Sequence, residues 1–191
     1  MPLKTLVKAG SITNLSDARY CAGMGVDMLG YSVIEGQQNH IPSKLYQEIR
    51  GWVSGPQVVA EIYGHTDASV AQSIIDQYAP DYFEIDFNHY QRWEVKPAKP
   101  FIIRLAETEL NFLDIRDPQV VYWLIDEKTM LSQIKKIIGH PVLAKISSKT
   151  RIPELLSIEG IKGIALEGSA EIRPGYKSYD HIAEILESLE E

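Results

Sequence analysis

Residues 57–87 read QVVAEIYGHTDASVAQSIIDQYAPDYFEIDF. Two short apolar runs, QVVAEIY and DYFEIDF, flank a segment in which Val70, Ile74, Ile75 and Tyr78 recur at helical spacing. The stretch is therefore a strand–helix–strand unit. The pattern extends in both directions, with TLVKA and DMLGYSV before it and PFIIRLA, VVYWLID, PVLAKIS and IKGIALE after it, eight runs in all. Leu15, Ala18 and Ala22 keep helical spacing after the first run, and the chain closes on the helical pattern HIAEILESLEE. Such alternation is the signature of parallel βα units, and runs this apolar suit strands covered on both faces.

Eight units predict a closed (β/α)8 TIM barrel. A doubly wound open sheet usually has fewer strands and carries a G-x-G-x-x-G loop after its first strand, a motif this chain lacks. The expectation is one compact domain over residues 1–191. That length is short for a TIM barrel, so some helices must be abbreviated, those around 88–94 and 109–116 first. With 45% apolar residues the chain can bury a full core without disulfides or metals.

The net charge of −7 and the absence of any Lys/Arg run argue against nucleic-acid and anionic-membrane partners, and favour a small-molecule ligand or a protein. No apolar run approaches the roughly 18 residues of a membrane span, and MPLKTLVKAG has no signal-peptide character. The single cysteine, Cys21, excludes an internal disulfide and fits a reducing, cytoplasmic compartment. No cofactor is called for.

The corner VKAGSITN at residues 7–14 joins the first strand to the first helix, whose start is marked by Asn14 three residues before Asp17. Gly10-Ser11 there is either a tight turn or an anion cradle at a helix start. In its longer context, VKAGSITNLSDARYCAGMGVDMLGY resembles the opening of phosphoribosylanthranilate isomerase, a tryptophan-pathway barrel that begins V-K-I-C-G-I-T-N and continues to G-A-D-x-L-G-F. EGSAEIRPGYKSYDHI is similar to that family's S-S-G-V-E-x-x-P-G-x-K-D, with Glu171, Pro174, Gly175 and Lys177 in register. VVYWLIDEKT resembles its sixth strand, which ends in the catalytic aspartate.

The resemblance implies an Amadori rearrangement of a phosphoribosylated anthranilate, with a cysteine as general base and an aspartate as general acid. Asp126 matches the aspartate. Gly10 stands where the cysteine would be, Ser11 where the next glycine would be, and Cys21 falls within the first helix. Asn39 corresponds to the family's arginine after strand two, and Phe83 to Phe87 correspond to its V-Q-L-H-G. The Gly-Gly-x-Gly loop after strand six is missing, strand seven reads Leu143-Ala144-Lys145-Ile146, and Glu167-Gly168-Ser169 replaces Ser-Ser-Gly.

Barrel sites lie at the C-terminal ends of the strands. Aligned with the family, Lys8, Glu35, Glu84, Asp86, Arg104, Asp126, Lys145 and Glu167 form a charged ring at the mouth. A bound phosphate would meet Glu167, a repulsion of about 4 kcal/mol at a few ångströms and an effective dielectric of about 20, unless Lys145 intervenes. The candidate catalytic groups are Asp126 as acid and Asp86 or Glu84 as a substitute base. The candidate binding groups are Lys8, Gly10, Ser11, Arg104, Lys145, Glu167, Gly168 and Ser169. The carboxylates could also hold a hard cation or a sugar-like ligand, or form an internal ionic network left after catalysis was lost. His65 is the histidine expected nearest the mouth; the others are expected in loops or on the surface. Trp52, Trp93 and Trp123 are expected in the core.

Three functions remain open on the sequence: an isomerase-like barrel impaired or repurposed by the loss of its base, an active isomerase using Asp126 with Asp86 or Glu84, and a binding or regulatory partner of another biosynthetic enzyme. The ligand would be a small molecule such as a sugar phosphate, and the protein a monomer or homodimer.

Overall fold

The eight apolar runs form eight strands: β1 (Leu6–Gly10), β2 (Met28–Ser32), β3 (Gln57–Glu61), β4 (Tyr82–Asp86), β5 (Phe101–Leu105), β6 (Val120–Asp126), β7 (Val142–Lys145) and β8 (Ile161–Glu167). All pair in parallel and in chain order, and β8 pairs with β1 to close the barrel. This computed structural model describes residues 3–64, 68–112, 116–132, 140–168 and 180–190. The helices are α1 (Leu15–Gly23), α2 (Ser43–Arg50), α3 (Val70–Tyr78), α4 (Phe87–Arg92), α5 (Glu127–Ser132), α6 (Ile152–Leu156) and α7 (Asp180–Ser188). Among the described residues no helix is long and apolar enough to cross a membrane.

Local chemistry explains the boundaries. Asn14 caps α1, its side-chain oxygen accepting the Asp17 N–H at 2.9 Å. The inward stripe of that helix has Ala18 and Cys21 fully buried, with Leu15 and Ala22 packed against the same core. The abbreviated helices fall where the short chain requires them: α4 has six residues, and a six-residue 3-10 helix, Glu107–Phe112, follows β5. At the bottom of the barrel, Asp27 and Asp81 immediately precede β2 and β4. Their carboxylates accept the N–H groups of Val7 and Val58, each at 2.7 Å, and tie each strand to the start of its predecessor.

Strand alternation builds two cores. Outward residues such as Tyr31, Phe83, Phe101 and Ile103 pack against the helices, while Met28, Val59, Ile102, Leu124, Leu143 and Ala165 fill the barrel with Leu6, Tyr82 and Tyr122 against them. Two residues further along each strand, the next inward position is reached. There stand Lys8, Gly30, Glu61, Glu84, Arg104, Asp126, Lys145 and Glu167. A charged layer thus sits directly on an apolar one, interrupted only by the glycine of β2.

Trp93 and Trp123 are core residues as expected, but Trp52 is 75% exposed. It follows the end of α2, past the last turn that packs on the barrel.

Candidate functional site

The inner half of the charged layer is buried. Lys8 Nζ lies 2.7 Å from Glu61 Oε1 and 2.6 Å from Glu84 Oε2, and the three residues are 2%, 3% and 0% exposed. Glu61 is held at both oxygens, because its Oε2 also accepts the Ser11 N–H at 3.1 Å. Glu84 is held less well. Lys8, 2.6 Å from Oε2, is its one partner among the described residues, and nothing donates to Oε1.

The charge states follow from this geometry. Burial raises the Glu84 carboxyl to about 7, Glu61 adds to the rise, and Lys8 only partly opposes it. For Lys8, burial by itself would lower the ammonium; the two carboxylates outweigh it and raise it above its ordinary value. The cluster is one cation shared by two acids, and burial biases Glu84 toward its protonated form.

Two glycines make room for Glu61. A Cβ at Gly10 would stand 2.5 Å from Glu61 Oε1 and 3.0 Å from Lys8 Nζ, and a Cβ at Gly30 would overlap the same carboxylate more severely. The corner Gly10-Ser11 is therefore the wall of an acid site. Ser11 takes a left-handed backbone, φ 56°, which aims its N–H at Glu61. Gly168 closes the corner from the other side, donating its N–H to Gly10 O at 3.0 Å at a point where a Cβ would crowd Ser11 O.

The outer half of the layer is paired but accessible. Arg104 donates to Asp86 Oδ1 from Nε at 2.7 Å and approaches it with Nη2 at 2.6 Å, while its guanidinium lies 3.9 Å from the centre of the Tyr63 ring. Asp86 Oδ2 accepts the Gly64 N–H at 3.1 Å and has His89 Nδ1 3.4 Å away. Lys145 pairs with Glu167 at 2.6 Å. Asp126 is exposed at the end of β6, and its Oδ1 accepts the Lys128 N–H at 3.0 Å as α5 begins at the next residue.

Two spaces of different kind result. Between the buried cluster and the rim, bordered by Lys8, Glu61, Glu84, Arg104, Lys145 and Glu167, about 20 Å³ remains, room for about one water. Outside it, an open cleft of about 370 Å³ is lined by Asp86, His89, Arg104, Glu109, Asp126 and Lys145, within the size range of small-molecule sites.

The expected ring is thus divided. Asp86, Arg104, Asp126 and Lys145 share the open cleft; Lys8 and Glu84 lie beneath it, and Glu84 has no exposed surface from which to meet a ligand. Glu35 is away from the mouth, exposed on the wall of a separate cleft of about 670 Å³ between α2 and α3, because the chain turns outward after β2. The histidine of the mouth among the described residues is His89, in the short α4. His65, Ser169, Glu171, Pro174, Gly175 and Lys177 lie outside the described residues. No three His, Cys, Asp or Glu side chains among the described residues converge as metal ligands.

Glu61 and Tyr63 were missed by the sequence reading. The alternation in QVVAEIY puts Glu61 two positions after Val59 on the inward face, a signal that was available. That it would reach across to Lys8 was not.

No protein-family profile and no curated protein matches the chain by sequence. Solved structures do match by shape. TrpF from Jonesia denitrificans superposes with a TM-score of 0.75 at 10% identity over 97% of this chain and 96% of that one. Phosphoribosylanthranilate isomerase from Thermotoga maritima gives 0.72 at 14% identity over 97% and 98%. A phosphoribosylanthranilate isomerase in complex with reduced 1-(o-carboxyphenylamino)-1-deoxyribulose 5-phosphate gives 0.71 at 14% identity over 96% and 97%. The chain has the barrel fold of these isomerases across nearly its whole length.

Proposed function

We propose that the chain is a phosphoribosylanthranilate isomerase-like barrel in which the family rearrangement is impaired and the mouth is turned to another sugar-sized molecule. Glu61 carries this reading. By resemblance the general base would project from position 10, and the Glu61 carboxylate fills the space a side chain there would need. A second observation agrees. Glu167, at the strand end where the resemblance puts a phosphate, offers a carboxylate already satisfied by Lys145.

The ligand site in this reading is the cleft beside Asp86, Arg104, Asp126 and Lys145, with Asp126 keeping the acid role that the resemblance gives it. Glu84 is no base for such a ligand, being sealed below the rim. Asp86 is committed to Arg104 and serves better to orient than to abstract. The protein acts without a cofactor, as a single-domain cytoplasmic monomer or homodimer.

Purified protein assayed with N-(5′-phosphoribosyl)anthranilate should show little or no turnover. Robust turnover that Asp126→Asn abolishes would sink the reading. Titration calorimetry with D-ribulose and D-ribulose 5-phosphate should detect binding, weakened by Arg104→Ala; heat from neither sugar would count against a sugar-sized ligand.

A further inference from the structure

His89 belongs to no motif of the resemblance, yet it is the imidazole of the open cleft. It sits in α4, three residues after Asp86, so the first turn of the helix folds the ring back toward the carboxylate that ends β4. Nδ1 is shielded from solvent, 3.4 Å from Asp86 Oδ2, and has no hydrogen-bonded partner among the described residues. The ring as a whole keeps 22% exposure. Nδ1 thus faces Asp86 while the side chain lines the cleft. Asp86 is itself fixed on both oxygens, by Arg104 on one and the Gly64 N–H on the other.

We propose that His89 is the proton acceptor of this cleft, positioned by Asp86, and that its substrate is a small hydroxy-carbonyl compound of sugar size. The inference rests on the preceding reading that the cleft takes such a molecule. A carboxylate facing Nδ1 selects the tautomer protonated there and leaves the Nε2 lone pair for the substrate, and a 3.4 Å separation closes to a hydrogen bond by a small shift when a ligand binds. Nε2 takes the proton from the carbon next to the carbonyl, and the C–H electron pair moves into the new carbon–carbon double bond as the carbonyl π pair goes to oxygen. The imidazolium is neutralised by Asp86, and the enolate oxygen faces a cleft that also holds Arg104 and Lys145. Return of a proton to carbon completes an exchange that consumes only water. The acids Glu109 and Asp126 on the same cleft suit hydroxyl groups rather than a second anion.

The test is deuterium wash-in, followed by NMR, at the carbons flanking the carbonyl of D-ribulose and of D-ribulose 5-phosphate in D2O. The full chain should accelerate exchange on at least one of them by about 100-fold or more over buffer. His89→Gln should return the rate to that of buffer while binding, read by calorimetry, stays within a few-fold. Asp86→Asn should slow exchange and displace its pH profile, an effect a purely structural role would not produce. Retained exchange in His89→Gln overturns the proposal. So does binding of either sugar by the unaltered protein without exchange, which leaves the ligand reading intact; absence of binding overturns both.

Discussion

Glu84 offers a quantitative test of the buried cluster. Its carboxyl is raised from an ordinary 4.5 to about 7, first by burial and then by Glu61, against the partial opposition of Lys8. Between these two values the folded protein holds a proton that the unfolded chain has lost, so the free energy of unfolding falls as pH rises. The contribution is fully present below pH 4.5, declines by about 1.4 kcal/mol per pH unit in between, and is gone above pH 7, a total of about 3 kcal/mol. Lys8 does not disturb this window. Its ammonium is raised from 10.5, so its contribution is constant until the pH climbs past that value. Urea unfolding at intervals from pH 4.5 to 8, on the natural sequence and on Glu84→Gln, isolates the cluster, since groups that do not interact with Glu84 cancel in the difference. The natural protein should lose about 3 kcal/mol relative to the variant across the range. A difference that stays flat, or that grows with pH, would refute the raised Glu84 carboxyl.

Other perturbations address neighbouring parts of the same layer. Lys8→Met leaves Glu61 and Glu84 buried without their cation and should cost about 3–5 kcal/mol near pH 7, with part of the loss recovered in acid; denaturant titration at two pH values checks it. Gly10→Ala pushes a methyl against a carboxylate pinned at both oxygens and should cost about 1–3 kcal/mol. In a chain that also carries Glu61→Ala the two losses should be distinctly less than additive, which a double-mutant cycle measures. At the barrel floor, Asp27→Ala removes the acceptor of the Val7 N–H and should cost about 1–3 kcal/mol by thermal or urea unfolding, without altering ligand binding at the far end of the strands.

Most of the architecture was legible because periodicity and strand number are local properties. QVVAEIY, DYFEIDF and their counterparts each carry their own apolar pattern, and eight of them with helical spacing between leave the closed barrel as the economical arrangement. Chain length called for abbreviated helices, and α4 is one of them. The site was legible as composition but not as arrangement: Asp86, Arg104, Asp126 and Lys145 do meet at one cleft, whereas Glu35 does not, because the backbone after β2 turns away from the axis. His89 escaped notice for a similar reason. A histidine three residues after a strand-end aspartate reads as a surface residue until a one-turn helix folds it over that aspartate.

The sequence by itself determined the βα order, the need for abbreviated helices and a glycine at the end of the first strand. Only the tertiary structure decided what that glycine is for. Lys8, Glu61 and Glu84 stand on strands far apart in the chain, and Gly10 and Gly30 are small because a carboxylate from β3 occupies the volume between them. Which inward side chain reaches which neighbour depends on strand register and on the curvature of the closed sheet, and neither is a property of any one stretch of sequence. The same long-range geometry separates a sealed ionic cluster from an open cleft immediately above it.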